Sequence, residues 1–543
     1  MNAIWLVVIA VIAFLLGYRF YGNFVARRLG VDPSRKTPAH TQTDGIDYVP
    51  AKAPVLLGHH FASIAGAAPI IGPVTAAVFG WVPVILWILI GGIFMGAVHD
   101  FSSLVASVRH QGRSLGEVIN ERIGRDGKRL FLAFSFFALI LVISAFLIIV
   151  AKTFESNPSA GTASILFIAL AVLFGLFIRR SNAPLGIASL VGVALLFLCV
   201  YLGLILPLNL SFNIWLALLI VYVFVAATAP VWILLQPRDY LNSFLLYALL
   251  VAAFIGIIFA RPTIQLEAFT GVKQDIGYLF PILFVTVACG AISGFHSLVA
   301  SGTTSKQLNS EKDAKLIGYG GMLIESLLAV LAIITAAVLV RADYAVIIEK
   351  GPVVLFSEGV GNFLSNLGIE HNTGTTFAAL AVSAFALTSL DTATRLSRFS
   401  FQEFFSPKTG EKPGILFTNR FIGTAITVFI GAALAYSGKW ELLWPLFGSA
   451  NQLLAAIALL AVSVWLAARG IRYGFTLLPM IFMFAVTITA LVFLIVKTIT
   501  QGEYILTVFA VGLLVVAILL LILAFKRFGF RRQAKIEYTL GIK

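Results

Sequence analysis

Charge is scarce in this sequence and cysteine nearly absent. Asp, Glu, Lys and Arg make up 11% of the 543 residues, while 60% are hydrophobic. A soluble domain carries roughly 25% charged residues, so this chain cannot coat an ordinary water-facing surface. The two cysteines, Cys199 and Cys289, both sit in apolar runs and indicate neither a disulfide framework nor a Cys-based metal site. No H-E-x-x-H, G-x-S-x-G or C-x-x-C-H occurs, so nothing points to an intramembrane enzyme or a redox subunit, and no catalytic residue or cofactor is nominated. A cleavable leader is not indicated either. Residues 1–22 are apolar, but no basic stretch precedes them, no small-residue cleavage site follows, and Arg27 and Arg28 come just after.

What the chain has in abundance is apolar runs of about 18–28 residues, long enough to cross a bilayer. About fifteen such spans are expected, from 3–22 to 503–525, in an all-α integral membrane protein. Every second connection is basic: 23–53, 108–129, 179–180, Arg238, 303–315, 395–414, Arg469 with Arg472, and the tail from Lys526. By the positive-inside rule that face is cytoplasmic, with the N-terminus outside and the C-terminus inside. The formal charge of +14 is thus an orientation signal, with lipid headgroups and not nucleic acid as its partner. The longest connection, 342–372, holds "GPVVLFSEGVGNFLSNLG", expected to form a short external lid helix.

Three spans contain residues that cannot stay regularly helical: "GAAPIIGP" at 66–73, "AATAP" at 226–230 and "GAISG" at 290–294. Glycine and proline free backbone polar groups, which in a membrane are tolerated only where protein or a wet cavity covers them. The first two breaks lie five spans apart in helices running in opposite directions. That spacing predicts two five-helix repeats of inverted topology, 54–205 and 211–394, with 1–53 and 395–543 peripheral. A substrate cavity is then expected along 59–73, 226–236 and 290–301, with His59, His60, Ala67, Pro69, Ala229, Gln236, Gly294 and His296 as candidate lining residues.

Ionisable groups at membrane depth are the other candidates. Glu325 sits about ten residues into its span, near the midplane at ~1.5 Å per residue, with no cation within a helical turn. An unpaired carboxylate in hydrocarbon costs several kcal/mol or takes up a proton, so Glu325 is the leading candidate for ion coupling. Asp100 is a second. Asp391 has Arg395 at i+4, which predicts an ion pair within one helix. Adjacent histidines such as His59 and His60 point about 100° apart on a helix, a poor arrangement for one metal. Ser301 and Thr303, within "SLVASGTTS", offer oxygens that a sodium ion could use.

Seven stretches, "LGHHFASIAGAAPIIGPV", "GAVHDF", "PVWILLQPRDYL", "ACGAISGFHSLVASGTTSKQL", "IGYGGMLIESLLA", "LDTATRLSRF" and "LWPLFGSANQLLA", occur in that order. Together they resemble the carbon starvation protein A family of bacterial inner-membrane transporters. At 99–100 the chain reads His-Asp where the family pattern has Gln-Asp, so the resemblance carries Asp100 and not His99. The region between the Glu325 and Asp391 helices is compact, as in a shorter member. The resemblance implies proton-driven uptake of peptides, or of pyruvate, on a LeuT-like fold of five plus five helices. It also implies that a half-helix N-terminus at a break would suit a substrate carboxylate.

Overall fold

The computed structural model describes residues 1–44, 48–180, 185–230, 234–405, 414, 419–437 and 440–540. Among them twelve helices are long and apolar enough to cross a membrane, and the bent pair Ala53–Ile64 and Ala68–Phe79 makes a thirteenth span if counted as one. Two shorter apolar helices, Phe212–Thr228 and Arg420–Tyr436, fall where two further spans were expected. The only strands among the described residues form a small hairpin, Lys273–Gln274 with Gly277–Tyr278.

The connections gather on two faces in the alternation that the basic residues predict. On one face the Ala51 N–H donates to the Gln307 carbonyl at 2.9 Å, Tyr48 Oη donates to the Gln111 carbonyl at 3.2 Å, and Arg109 pairs with Glu311 at 2.9 Å. On the other, the Ala3 N–H donates to the Pro262 carbonyl at 2.9 Å, the Gln265 N–H to the Ala337 carbonyl at 2.9 Å, and the Phe212 N–H to Glu155 Oε1 at 2.9 Å. The helix Pro352–Ser365 forms within the expected lid segment, on this second, N-terminal face.

Apolar side chains at the two ends of the chain point outward. Only 17% of the apolar window in Ile4–Leu29 and 28% of that in Tyr504–Lys526 is buried, the low burial of helices that face lipid. Leu442–Ala468 differs: 94% of its window is buried. Residues 395–543 are therefore not uniformly peripheral. Small residues explain why. Gly448 packs on the Val285 carbonyl, and Ala450 and Ala455 are fully buried, so this helix seats against the backbone of its neighbours.

Candidate functional site

The first and third breaks face each other. Ala53–Ile64 ends before Gly66, and the chain resumes as Ala68–Ala76 with a bend of 48° across the pair. A Cβ at Gly72 would lie 2.5 Å from the Thr286 carbonyl oxygen and 2.8 Å from that of Val287. Only glycine permits this approach of two backbones. The third break runs from Leu279–Val287 through a turn at Ala288–Gly290 to a new start at Gly294. Ala288 adopts φ +34°, a conformation that costs a non-glycine residue about 1–3 kcal/mol.

Both sides of that break are held by two adjacent side chains of the buried helix Trp440–Ala468. Gln452 Nε2 donates to the Phe284 carbonyl at 2.7 Å, on the first half-helix. Asn451 Oδ1 accepts from the Phe295 N–H at 2.9 Å, on the second half-helix. Asn451 Nδ2 meanwhile donates to Ser293 Oγ at 3.0 Å and Cys289 Sγ at 3.3 Å. Backbone groups that a break leaves without helical partners are satisfied here by protein.

Directly after this break the structure assembles a row of fully buried ionisable groups. His99 Nδ1 lies 2.7 Å from Asp100 Oδ1, and Asp100 Oδ2 lies 2.8 Å from His296 Nδ1. His296 Nε2 then lies 3.2 Å from Glu325 Oε2, and none of the four side chains is exposed. An ionised Asp100 only accepts, and in that state each histidine would present an N–H at Nδ1 to it. The outward His296 Nε2 and the Glu325 carboxyl are left facing each other. At 3.2 Å the alignment is not that of a hydrogen bond, and Nε2 and both Glu325 oxygens have no hydrogen-bond partner among the described residues. Glu325 thus finds its expected partner on another helix.

Cys289 joins this cluster: its Sγ, His296 and Glu325 offer ligand atoms all within 4.8 Å of one another. As a thiol, Cys289 is already hydrogen-bonded to Ser293 Oγ at 3.4 Å and to Asn451. The sequence reading passed over it because its apolar flanks look like core.

A second cluster forms at the other break. Asp391 was expected to pair with Arg395, but its oxygen Oδ2 instead pairs with Arg238 Nη1 and accepts from Tyr222 Oη at 2.9 Å. Arg238 also donates to Tyr222 Oη at 2.6 Å and lies 3.2 Å from Asp239. His59 Nδ1 is 3.8 Å from Asp239 Oδ2. Arg395 is drawn away from Asp391 because free carbonyls compete for it: its Nη2 donates to Ala226 at 3.0 Å and Ala229 at 2.8 Å, at the end of Phe212–Thr228. Arg238, Tyr222 and Asp239 were missed. Arg238 reads as one more basic residue of the cytoplasmic face, although a charge inside "QPRDYL", directly after a break, was a usable signal.

The remaining candidates divide. His60 is buried, with Nδ1 2.8 Å from Thr304 Oγ1 and its ring against Gly321 at the start of the Glu325 helix. It points away from His59, which faces Asp239. Ala67 and Pro69 are buried in the first break, and Gly294 packs on the Asn451 backbone. Ser301 and Thr303 donate to carbonyls of their own helix, at 2.7 and 3.0 Å, so a cation would have to displace those bonds. The Gln236 side chain lies outside the described residues.

The sequence profile described as "Carbon starvation protein CstA" matches residues 2–350 and 342–490. The chain belongs to this family. Among relatives, the Campylobacter jejuni peptide transporter CstA is 34% identical over 90% of this chain and 79% of its own length. The Bacillus subtilis peptide transporter CstA is 35% identical over 89% of each chain. The Escherichia coli pyruvate/proton symporter BtsT is 32% identical over 85% of this chain and 77% of its own. Among solved structures, a mutant of the Eremococcus coleocola manganese transporter superposes with a TM-score of 0.50 at 12% identity, covering 87% of this chain and 94% of that one. That likeness is one of fold: a LeuT-like, all-α bundle of membrane-spanning helices. The family's motifs fall on the breaks, the two buried clusters and the Asn451–Gln452 pair.

Proposed function

We propose that this protein is a secondary active transporter that takes up peptides across the bacterial cytoplasmic membrane by proton symport, with its N-terminus outside. The observation that carries this reading is the His99–Asp100–His296–Glu325 row, ending in a buried carboxyl that faces His296 without a hydrogen bond, beside two facing helix breaks. A histidine and a carboxyl that face each other at 3.2 Å and can exchange a proton, in a fold whose substrate sites lie at broken helices, suit a symporter better than a passive pore. The repeat frame 54–205 and 211–394 belongs to the same proposal. Its second repeat then holds two breaks, and the one at 288–293 meets the first repeat. In alternating access the proton and substrate would bind from outside and leave from the basic face. Pyruvate is a second reading, favoured by the likeness to a pyruvate/proton symporter.

Purified protein in liposomes tests the function directly. Labelled dipeptide should accumulate under an imposed inward proton gradient and not under a sodium gradient alone. Accumulation driven by sodium would sink the coupling assignment, and accumulation of pyruvate without dipeptide would move the substrate to the second reading.

Orientation has its own check. The native cysteines Cys199 and Cys289 are buried, so single exposed cysteines can be read against them. Lys273→Cys should react with an impermeant thiol reagent added to whole cells, and Lys36→Cys and Lys312→Cys should not. The reverse pattern would invert the topology.

A further inference from the structure

One cavity on the N-terminal face is used by none of the groups above. It measures about 380 Å³ and lies over the far half of the first broken helix. Ile71 and Thr75 of that half-helix form one wall, and Lys152 and Ser156 at the end of Arg125–Ser156 form a second. The third wall is the turn between Arg341–Glu349 and Pro352–Ser365, with Glu349 and Lys350 at its edge. Gly351, at φ +118°, lets the chain reverse there. The turn is held over the broken helix by Tyr344 Oη, which donates to the Val74 carbonyl at 2.9 Å, and by Arg341 Nη1, which donates to the Val78 carbonyl at 3.2 Å.

The charges of this cavity are uncommitted. Lys152, Glu349 and Lys350 are exposed, and no ion pair joins them to one another or to any other described residue. Ile148, Ile149 and Val353 supply an apolar floor.

We infer that this cavity is a capture site for a peptide as a zwitterion, with Glu349 receiving the terminal ammonium and Lys152 and Lys350 the terminal carboxylate. The inference rests on the peptide-uptake reading and on the orientation given with it. Ligand pockets enclose roughly 300–1,000 Å³, and a cavity of about 380 Å³ is ample for a short peptide and far larger than a three-carbon acid needs. A monocarboxylate would also leave Glu349 facing like charge. A zwitterion is the small solute that uses both signs at once, and an apolar floor accepts its side chains without selecting among them. The two termini are the features all peptides share, so recognition there gives breadth.

The test combines binding and transport. Because all three charged positions are exposed, Glu349→Gln and the double variant Lys152→Gln/Lys350→Gln should fold, and thermal stability in detergent confirms that they do. Binding of labelled alanyl-alanine to detergent-purified protein should weaken about tenfold in Glu349→Gln, the loss of one charge-assisted contact, and at least as much in the double variant, which loses two. In liposomes the same variants should raise KM while leaving the maximal rate unchanged. N-acetyl-alanyl-alanine should compete about tenfold less well than the free dipeptide against the native protein, and equally well against Glu349→Gln. Unchanged dipeptide binding in both variants, or equal competition by the acetylated peptide against the native protein, would overturn the capture site. If dipeptide binds and responds to Glu349→Gln but is never accumulated, the capture site stands and the uptake reading fails.

Discussion

Glu325→Gln is expected to abolish accumulation of substrate against its gradient while counterflow exchange of labelled for unlabelled substrate persists. Gln has the shape of Glu and still offers an amide to His296 Nε2, which lies 3.2 Å from the present carboxyl oxygen. What it cannot do is take and release a proton. If the coupling proton travels with Glu325, the variant binds and moves substrate in both directions but gains nothing from a proton gradient. A merely structural Glu325 would tolerate the amide, and uptake would remain concentrative. Intact proton-driven accumulation in Glu325→Gln would pass the role to Asp100 or to the His59–His60 pair. His296→Gln is the companion variant: its loss removes the group that Asp100 orients and should reproduce the defect.

The second large effect concerns stability, and it follows from counting charges around Arg238. One guanidinium, 1% exposed, faces two carboxylates, Asp239 and Asp391, that are equally buried. His59 Nδ1 lies 3.8 Å from Asp239, at the edge of the group. Arg238→Met leaves two carboxylates without their cation and should cost about 3–5 kcal/mol, the range for breaking a buried pair from one side. Little folded protein should reach the membrane. Asp391→Asn leaves a balanced Arg238–Asp239 pair, and an Asn can still accept from Tyr222, so it should cost less than half as much. Thermal stability in detergent and the monodisperse yield measure both. Greater damage from Asp391→Asn than from Arg238→Met would refute the charge count.

The large features of this fold were legible because the bilayer imposes them. Span length, the sidedness of Lys and Arg, and the cost of a broken helix are written in composition and spacing, so the helices, the two faces and the first and third breaks could be read directly; the second runs from the end of Phe212–Thr228 into 231–233, which lie outside the described residues. Partnership was not legible. The spacing of Asp391 and Arg395 satisfied the local rule for an ion pair, yet the carbonyls at Ala226 and Ala229 engage Arg395 and leave Asp391 to Arg238, 153 residues away. Likewise "GAISG" and "AATAP" look alike as breaks. Only packing, through the bare backbone at Gly72, decides which of them meets the first broken helix. Glu325 was nominated for lacking a partner nearby in sequence. Its partner lies on the helix that begins at the third break, a relation that no helical periodicity encodes.

The Asn451–Gln452 pair has a consequence for movement. Each residue grips a different side of the same break, through hydrogen bonds of 2.9 and 2.7 Å. If the two half-helices swing as one unit during a transport cycle, Trp440–Ala468 must travel with them as ballast. If they swing apart, one of the two grips must let go, and the more exposed partner sets the hinge. The Gln452 bond is part-buried, whereas the Asn451 bond is wholly buried. The grip on Leu279–Val287 is therefore the one expected to open first, and a pivot there must also part Gly448 from the Val285 carbonyl and Gly72 from those of Thr286 and Val287.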